Sequence, residues 1–153
     1  MGMTNMDPRS ALNKYNQVRA HVQTEGASPH RLIQVLMEGA MEKIRVAKGL
    51  IERRDIPEKV RNINWALSII DGLRQSLDME KGGEIAQNLE SLYDYMQRRL
   101  VVANADNNPQ VLDEVASLML EIKSAWDAVP ENISKESREQ ISAQSKSAAT
   151  SSI

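Results

Sequence analysis

Two histidines are the side chains best suited to acid–base, phosphoryl-transfer or metal chemistry, and neither has the neighbours that such chemistry needs. Di-iron helical bundles use Glu-x-x-His pairs, but Val18 stands three residues before His21, and Ala27 three residues before His30. A bundle phosphotransfer protein needs an exposed histidine in mid-helix, whereas His30 falls in the first turn of a predicted helix. We therefore expect His30 to be a solvated helix-start residue and His21 to lie at the surface or at a groove edge.

Adjacent glycines form the other local pattern that suggests ligand binding. The run Glu80-Lys81-Gly82-Gly83-Glu84 lacks the Gly-x-x-x-x-Gly-Lys-Ser/Thr spacing of a phosphate loop, so a turn between two helices is the simpler interpretation. The absence of cysteine excludes thiolate nucleophiles, disulfides and Cys-ligated zinc. The sequence therefore predicts neither an enzyme nor a metal or cofactor site.

Composition excludes further classes of protein. The 19 Lys and Arg residues are balanced by 21 Asp and Glu residues, which leaves no basic footprint for nucleic acid. No run approaches the ~18 apolar residues needed to span a bilayer, and the opening residues lack the pattern of a secretory signal. We expect a cytoplasmic protein that does not insert into membranes. Phe is absent and Tyr and Trp are few, so the core must be aliphatic, built from Leu, Ile, Val, Met and Ala.

Four apolar stripes with three- to four-residue spacing predict four amphipathic helices near 29–53, 57–79, 83–105 and 109–128. Helix starts are indicated by Ser28 and Asn108, each followed by proline, and by Asp55, which has Glu58 at capping-box spacing. In the third helix the predicted core positions are Ile85, Leu89, Leu92, Met96, Leu100 and Ala103.

The organisation of these helices follows from the short connections between them. Short loops make consecutive helices antiparallel, so we predict an all-α, up-down-up-down four-helix bundle over residues 27–129. Residues 1–26 carry a weaker stripe, Ala11, Tyr15, Val18 and Val22, and are predicted to form a short helical segment on the bundle. Residues 130–153 contain seven serines and are predicted to be a disordered tail.

Several apolar residues flank the predicted core stripes and are candidates for a binding groove. Trp65 and Ile69 lie beside the core stripe of the second helix, and Tyr95 and Val102 flank that of the third. Such residues either widen the core, as globular bundles usually require, or form an apolar surface for a partner. Gly39, which lies inside a helical pattern, is consistent with close packing of another backbone.

Longer motifs identify a resemblance to a known family. The run DMEKGGEIAQNLESLYDYMQRRL, at 78–100, strongly resembles the signature of the flagellar export chaperone family FliS. Three further segments are similar to the same family in the same order: LNKYNQV at 12–18, ASPHRLIQVLMEGA at 27–40 and VLDEVASLMLEIKSAW at 111–126. The resemblance covers about residues 11–128, whereas the serine-rich tail has no diagnostic match.

The resemblance implies a cytoplasmic chaperone whose antiparallel bundle binds the disordered C-terminal segment of flagellin in apolar grooves. The client becomes helical, premature filament assembly is blocked, and flagellin is delivered to the type III export gate. In such a protein Trp65, Ile69, Tyr95 and Val102 would belong to the groove. The family's N-terminal segment is thought to cover part of the groove and to help contact the gate protein FlhA, and its apolar and Tyr positions match Leu12 and Tyr15.

A structural protein that assembles with itself through the same apolar lines is the alternative. Long continuous heptads would favour that interpretation, and the short loops argue against it. The sequence leaves open which flagellin is the client and whether the free protein is a homodimer.

Overall fold

A computed structural model of the chain describes residues 16, 17, 20, 26 and 28–129. Within 28–129 it contains four helices, α1 (Pro29–Glu52), α2 (Ile56–Gln75), α3 (Gly83–Asp106) and α4 (Pro109–Asp127), and no strand. All three predicted N-caps are confirmed, because the side chains of Ser28, Asp55 and Asn108 each accept a hydrogen bond from a backbone N–H of the first turn. Each of these three helices also has a proline at its first or second position, where a backbone N–H has no partner within the helix, so the N–H that proline lacks is not missed.

The second helix ends at Gln75, four residues before its predicted end near 79. The Ser76 hydroxyl donates to the carbonyl of Leu73, and the Asp78 carboxylate accepts from the backbone N–H groups of Glu80 and Lys81. These local bonds replace helical ones, since serine and aspartate side chains compete with the helix for backbone groups. The predicted turn is the last part of a longer connection that ends at Gly82, and Gly83 is the first residue of α3.

Contacts between helix ends define the topology of the bundle. The start of α1 meets the end of α4 through Gln34 and Asp127, and the end of α1 meets the start of α4 through Lys48 and Asp113. Each helix also packs against the next along the chain. The four helices therefore form a closed ring of antiparallel neighbours, and the predicted up-down-up-down bundle is confirmed.

The core is aliphatic, as predicted, except for one tyrosine. Its largest fully buried side chains come from all four helices and include Ile44, Ile70, Leu100 and Leu112. Tyr93, which the predicted stripe left out, is 2% exposed, and burial raises its pKa to about 12.

Both chain ends mostly fall outside the described residues. Asn16, Gln17 and Ala20 are helical and exposed, in agreement with a helical segment whose apolar stripe uses other positions. Leu12, Tyr15, His21 and the predicted tail 130–153 lie outside the described part of the chain.

Candidate binding grooves

The two buried polar side chains of the described chain hold the bundle together. His30 is 2% exposed, its ring stacks on Trp126 with centroids 4.9 Å apart, and the Trp126 indole donates to the His30 carbonyl over 3.0 Å. The prediction that His30 is solvated was wrong, because the stack joins the start of α1 to the end of α4.

Lys59, at the start of α2, is the second buried polar side chain. It is 2% exposed, and its ammonium donates to the carbonyl and to the side-chain oxygen of Asn104, both at 2.8 Å. Burial lowers the pKa of the Lys59 ammonium below its usual value. The two bonds place a cation in the last turn of α3, where helix carbonyls lack partners and the dipole favours positive charge. Lys59 therefore fastens α2 to α3.

A line of apolar residues runs along the exterior of α3. Ile85, Leu92, Tyr95 and Val102 are spaced at seven, three and seven residues, which places them on one face of the helix. Ile85 is 55% exposed, Leu92 37% and Val102 36%, whereas Tyr95 is half-buried. The prediction that Ile85 and Leu92 belong to the core was wrong, because Ala86 and Tyr93, one residue further along, are buried instead.

The same face of α3 is tied to α4 by polar contacts with Glu114. The Tyr95 hydroxyl donates to one Glu114 oxygen over 2.6 Å, and the Arg99 guanidinium donates to the other over 2.8 Å. The hydrogen bond from Tyr95, followed by that from Arg99, lowers the pKa of the Glu114 carboxyl. This carboxylate is therefore held in its charged form, and it fixes the orientation of the Tyr95 ring.

Apolar residues of α4 continue this surface beyond Glu114. Leu118 and Ile122 follow Glu114 at four and eight residues, so they lie on the face of α4 that meets α3; both are half-buried against the core. Glu114 is level with Tyr95 and Arg99 of antiparallel α3, so we expect Leu118 to be level with the turn of α3 that carries Leu92, and Ile122 with the turn between Leu92 and Ile85. We call the surface formed by Ile85, Leu92, Leu118 and Ile122 the α3–α4 groove.

The predicted candidates on α2 lie on the other side of the bundle, against α1. Trp65 is half-buried, and the Lys43 ammonium lies 4.0 Å from the centroid of a Trp65 ring. Ile69 is 3% exposed, and its Cδ1 lies 3.6 Å from where a Cβ on Gly39 would be, so it has almost no surface left for a partner. On α1, Val46 follows Lys43 by three residues and is 38% exposed. The structure thus separates the four predicted residues into two surfaces, with Tyr95 and Val102 on α3 and Trp65 and Ile69 at the α1–α2 contact.

Comparison with known proteins decides the family. The family described as "Flagellar protein FliS" matches residues 11–133, which is most of the chain. The chain belongs to the FliS family. It is 51% identical over 119 residues to the flagellar secretion chaperone FliSB of Pseudomonas aeruginosa, a match that covers 78% of this chain and 94% of the relative. The flagellar secretion chaperone FliS of Salmonella typhimurium is 43% identical over 131 residues, covering 84% of this chain and 97% of the relative.

These matches confirm the resemblance to the flagellar export chaperones and give the chain a role as a chaperone in flagellar secretion. The flagellar secretion chaperone FliS of Vibrio cholerae matches as well, at 44% identity over 122 residues, 80% of this chain and 90% of the relative. Among the described residues no side-chain cluster suited to a metal ion is found, and no helix there is long and apolar enough to cross a membrane.

Proposed function

We propose that this FliS-family chain binds the disordered C-terminal segment of flagellin in its apolar grooves, in the cytoplasm. Binding blocks premature polymerisation, and the complex is delivered to the export-gate protein FlhA. The observation that carries the proposal is the line of apolar side chains on α3, three of which are at least 36% exposed. Contiguous apolar surface of this kind is a feature of sites that bind other proteins.

The geometry of the α3–α4 groove suits a helical client. Ile85 and Leu92 are seven residues apart, which is two helical turns or about 10 Å, so a client helix with apolar residues at the same spacing can lie along them. Leu118 and Ile122 form the floor, and the Tyr95–Glu114 pair ends the apolar stretch. A client that folds on binding must recover its ordering entropy through a large contact area, which is why more than one surface is expected to take part.

The second surface in the proposal is that of Trp65 on α2. Its ring is half-buried between the bundle and Lys43, which leaves one part available to an apolar client side chain. Ile69 is buried and fills the space beside Gly39, so in this proposal it supports the Trp65 surface from behind. Val102 extends the line on α3 past the polar Tyr95–Glu114 pair.

The N-terminal segment has two roles in the proposal. Residues 1–26 cover part of the groove when no client is bound, and Leu12 and Tyr15 contact FlhA. Residues 27–129 form the bundle, and 130–153 form a separate tail. The exposed positions Asn16, Gln17 and Ala20 support a helical segment with one solvent-facing side. So short a helix is marginal in water on its own, so it gains stability by docking.

Calorimetry with a peptide of the host flagellin's C-terminal segment tests client binding. We expect the wild-type chain to bind the peptide and Trp65→Glu to bind it more weakly, because a charge replaces apolar contact area. Ile56→Glu is the control, since Ile56 is exposed at the first turn of the same helix, where a carboxylate is well tolerated. Thermal melting separates lost binding from lost folding. A wild-type chain that binds no peptide but sediments as a concentration-dependent oligomer would favour the self-assembling alternative instead.

A pull-down with the cytoplasmic part of FlhA tests the gate contact. Tyr15→Ala is expected to reduce recovery of FlhA while client affinity is retained, with the exposed neighbour Asn16→Ala as the control. Equal recovery by both variants would remove Tyr15 from the contact.

A further inference from the structure

Two exposed carboxylates border the α3–α4 groove, one on each of its helices. Glu121 lies on α4 directly before Ile122, and it follows Glu114 by seven residues, which places it on the same face of the helix. Glu84 lies in the first turn of α3 and precedes Val102 by eighteen residues, or five full turns, so it belongs to the same exposed line. The two carboxylates therefore flank the apolar part of the groove from opposite walls.

Neither carboxylate has a cationic partner. Within the part of the chain that the structure describes, Glu84 and Glu121 form no ion pair and no side-chain hydrogen bond. The single cationic side chain of α4 is Lys123, and its ammonium pairs with Glu38 and Asp127 on the side that faces α1. The α4 wall of the groove is therefore anionic, with no lysine or arginine to balance it.

The cationic side chains of α3 do not balance these charges either. Its two arginines both lie past the apolar part of the groove, where Arg98 pairs with Asp94 and Arg99 pairs with Glu114. The connection 76–82, which precedes α3, contains two carboxylates and one lysine, so it adds no net positive charge. An apolar surface with a negatively charged border is complementary to an apolar helix face with a positively charged border.

The two carboxylates are offset along the groove. Glu114 is level with Tyr95 and Arg99, so Glu121, seven residues further along antiparallel α4, is expected to be level with a turn of α3 about six residues after Glu84. Six residues of a helix span about 9 Å and turn through about 600°, which leaves the two positions about 120° apart. On a client helix, residues with this spacing lie on opposite sides of one apolar face.

We propose that Glu84 and Glu121 select the client of the α3–α4 groove by charge. The client helix carries a basic residue on each side of its apolar face, about six residues apart, and each lies against one of the two carboxylates. The inference rests on the proposed function, since the client is the flagellin segment. The two ion pairs fix the register of the client along the groove, and a client face bordered by carboxylates is rejected because like charges repel.

Calorimetry with the flagellin C-terminal peptide tests the role of the two carboxylates. Glu84→Gln and Glu121→Gln each remove one charge while keeping the size of the side chain, and each should raise the dissociation constant about two- to fivefold at about 0.02 M salt. The double variant should lose most of the salt dependence of wild-type binding. Glu42→Gln is the matched control, because Glu42 is exposed on α1 and forms no ion pair in the described chain. Its dissociation constant should equal that of the wild-type chain.

Variants of the peptide locate the two contacts. Each lysine or arginine of the peptide is replaced in turn by glutamine, and each peptide is titrated into the wild-type chain and into both glutamine variants. One replacement should weaken binding to the wild-type chain but not to Glu121→Gln, and a second, about six residues away, should behave in the same way with Glu84→Gln. Peptide replacements whose effects are the same in all three chains would overturn the proposal.

The remaining outcomes separate this inference from the proposed function. A peptide that binds the wild-type chain with no dependence on salt or on either carboxylate overturns the inference and leaves the proposed function intact. A wild-type chain that binds no peptide overturns the proposed function and the inference with it. An equal effect of Glu42→Gln would show a response to net charge, and salt-sensitive self-association without peptide would show that a second copy fills the groove; either result also overturns the inference.

Discussion

Replacing Ile85 with serine should weaken client binding, and the size of the effect follows from the exposure of this side chain. Full burial of an isoleucine side chain is worth about 1.5–3 kcal/mol. Ile85 is 55% exposed in the free chain, so a client that covers it gains about half of that amount, about 1 kcal/mol. Ile85→Ser should therefore raise the dissociation constant of the flagellin peptide about fivefold.

Val101 provides a matched control on the same helix. It is 57% exposed, but it lies on the flank of α3 that is turned away from α4. Val101→Ser makes a similar loss of apolar surface and helix propensity, so any effect on the stability of the bundle should be similar in the two variants. We expect its dissociation constant for the client to stay within about twofold of the wild-type value.

Isothermal titration calorimetry of both variants with the same peptide measures the difference, and chemical denaturation verifies that both remain folded. A fivefold loss for Ile85→Ser alone locates the client in the α3–α4 groove. Equal losses in the two variants would refute the reasoning, because they would show a response to surface hydrophobicity in general. No loss for either would place the client elsewhere on the bundle.

Two further predictions concern Lys59, which joins α2 to α3, and Gly82, just before α3. Lys59→Met should lower the free energy of unfolding by about 1–3 kcal/mol, because it leaves two part-buried oxygens of α3 without their donor, whereas Lys48→Met, which breaks an exposed ion pair, should cost less than about 1 kcal/mol. The pKa of Lys59 is lowered in the folded chain, so the unfolded chain binds more protons at pH values between that pKa and the usual 10.5. The stability of the wild-type chain relative to Lys59→Met should therefore rise with pH in this window. A stability difference that does not change with pH would contradict the argument from burial. Gly82→Ala should lower the free energy of unfolding, measured by urea titration, by about 1–3 kcal/mol, because the new Cβ would lie 2.6 Å from the Cβ of Ala86. Gly49→Ala should be neutral or stabilising, because the atom closest to its new Cβ belongs to a movable guanidinium, at 3.2 Å. Equal stability of the two alanine variants would contradict the clash.

The helices themselves could be predicted because their boundaries depend on local chemistry. Ser28, Asp55 and Asn108 cap their own first turns with side-chain oxygens, which the sequence shows directly. The end of α2 was harder to place, since Leu77 continues the apolar stripe while Ser76 and Asp78 form local bonds that stop the helix. A stripe records which residues can be buried, whereas the hydrogen bonds decide where the helix ends.

His30 shows why the position of a single polar side chain was not predictable. Its place in the first turn of α1 is visible in the sequence and favours solvent. Its burial depends on Trp126, 96 residues later, which stacks on the ring and donates to the backbone carbonyl. A long-range pair of this kind gives no periodic signal in the sequence.

The candidate surface on α3 was predicted in part, because two sets of residues satisfy the same helical spacing. Leu89, Met96, Leu100 and Ala103 fit either set, and the choice lies between Ile85 with Leu92 and Ala86 with Tyr93, which are one residue, or 100°, apart. By hydropathy alone Ile85 and Leu92 are the better core residues. Their exposure means that the rotation of α3 is decided by its contacts with neighbouring helices.

A network of polar contacts between α2 and α3 fits this rotation. The Arg74 guanidinium donates to Glu90 over 3.0 Å and to Gln97 over 2.9 Å, and it pairs with Asp94 at 3.3 Å. These three partners occupy the flank of α3 that faces α2, in the same helix orientation that places Ala86 and Tyr93 in the core. The opposite flank, with Ile85 and Leu92, is thereby rotated outward beside α4. The apolar groove and the polar network are thus two consequences of one helix orientation, which is why the residues that form the groove could not be separated from the core by their sequence pattern.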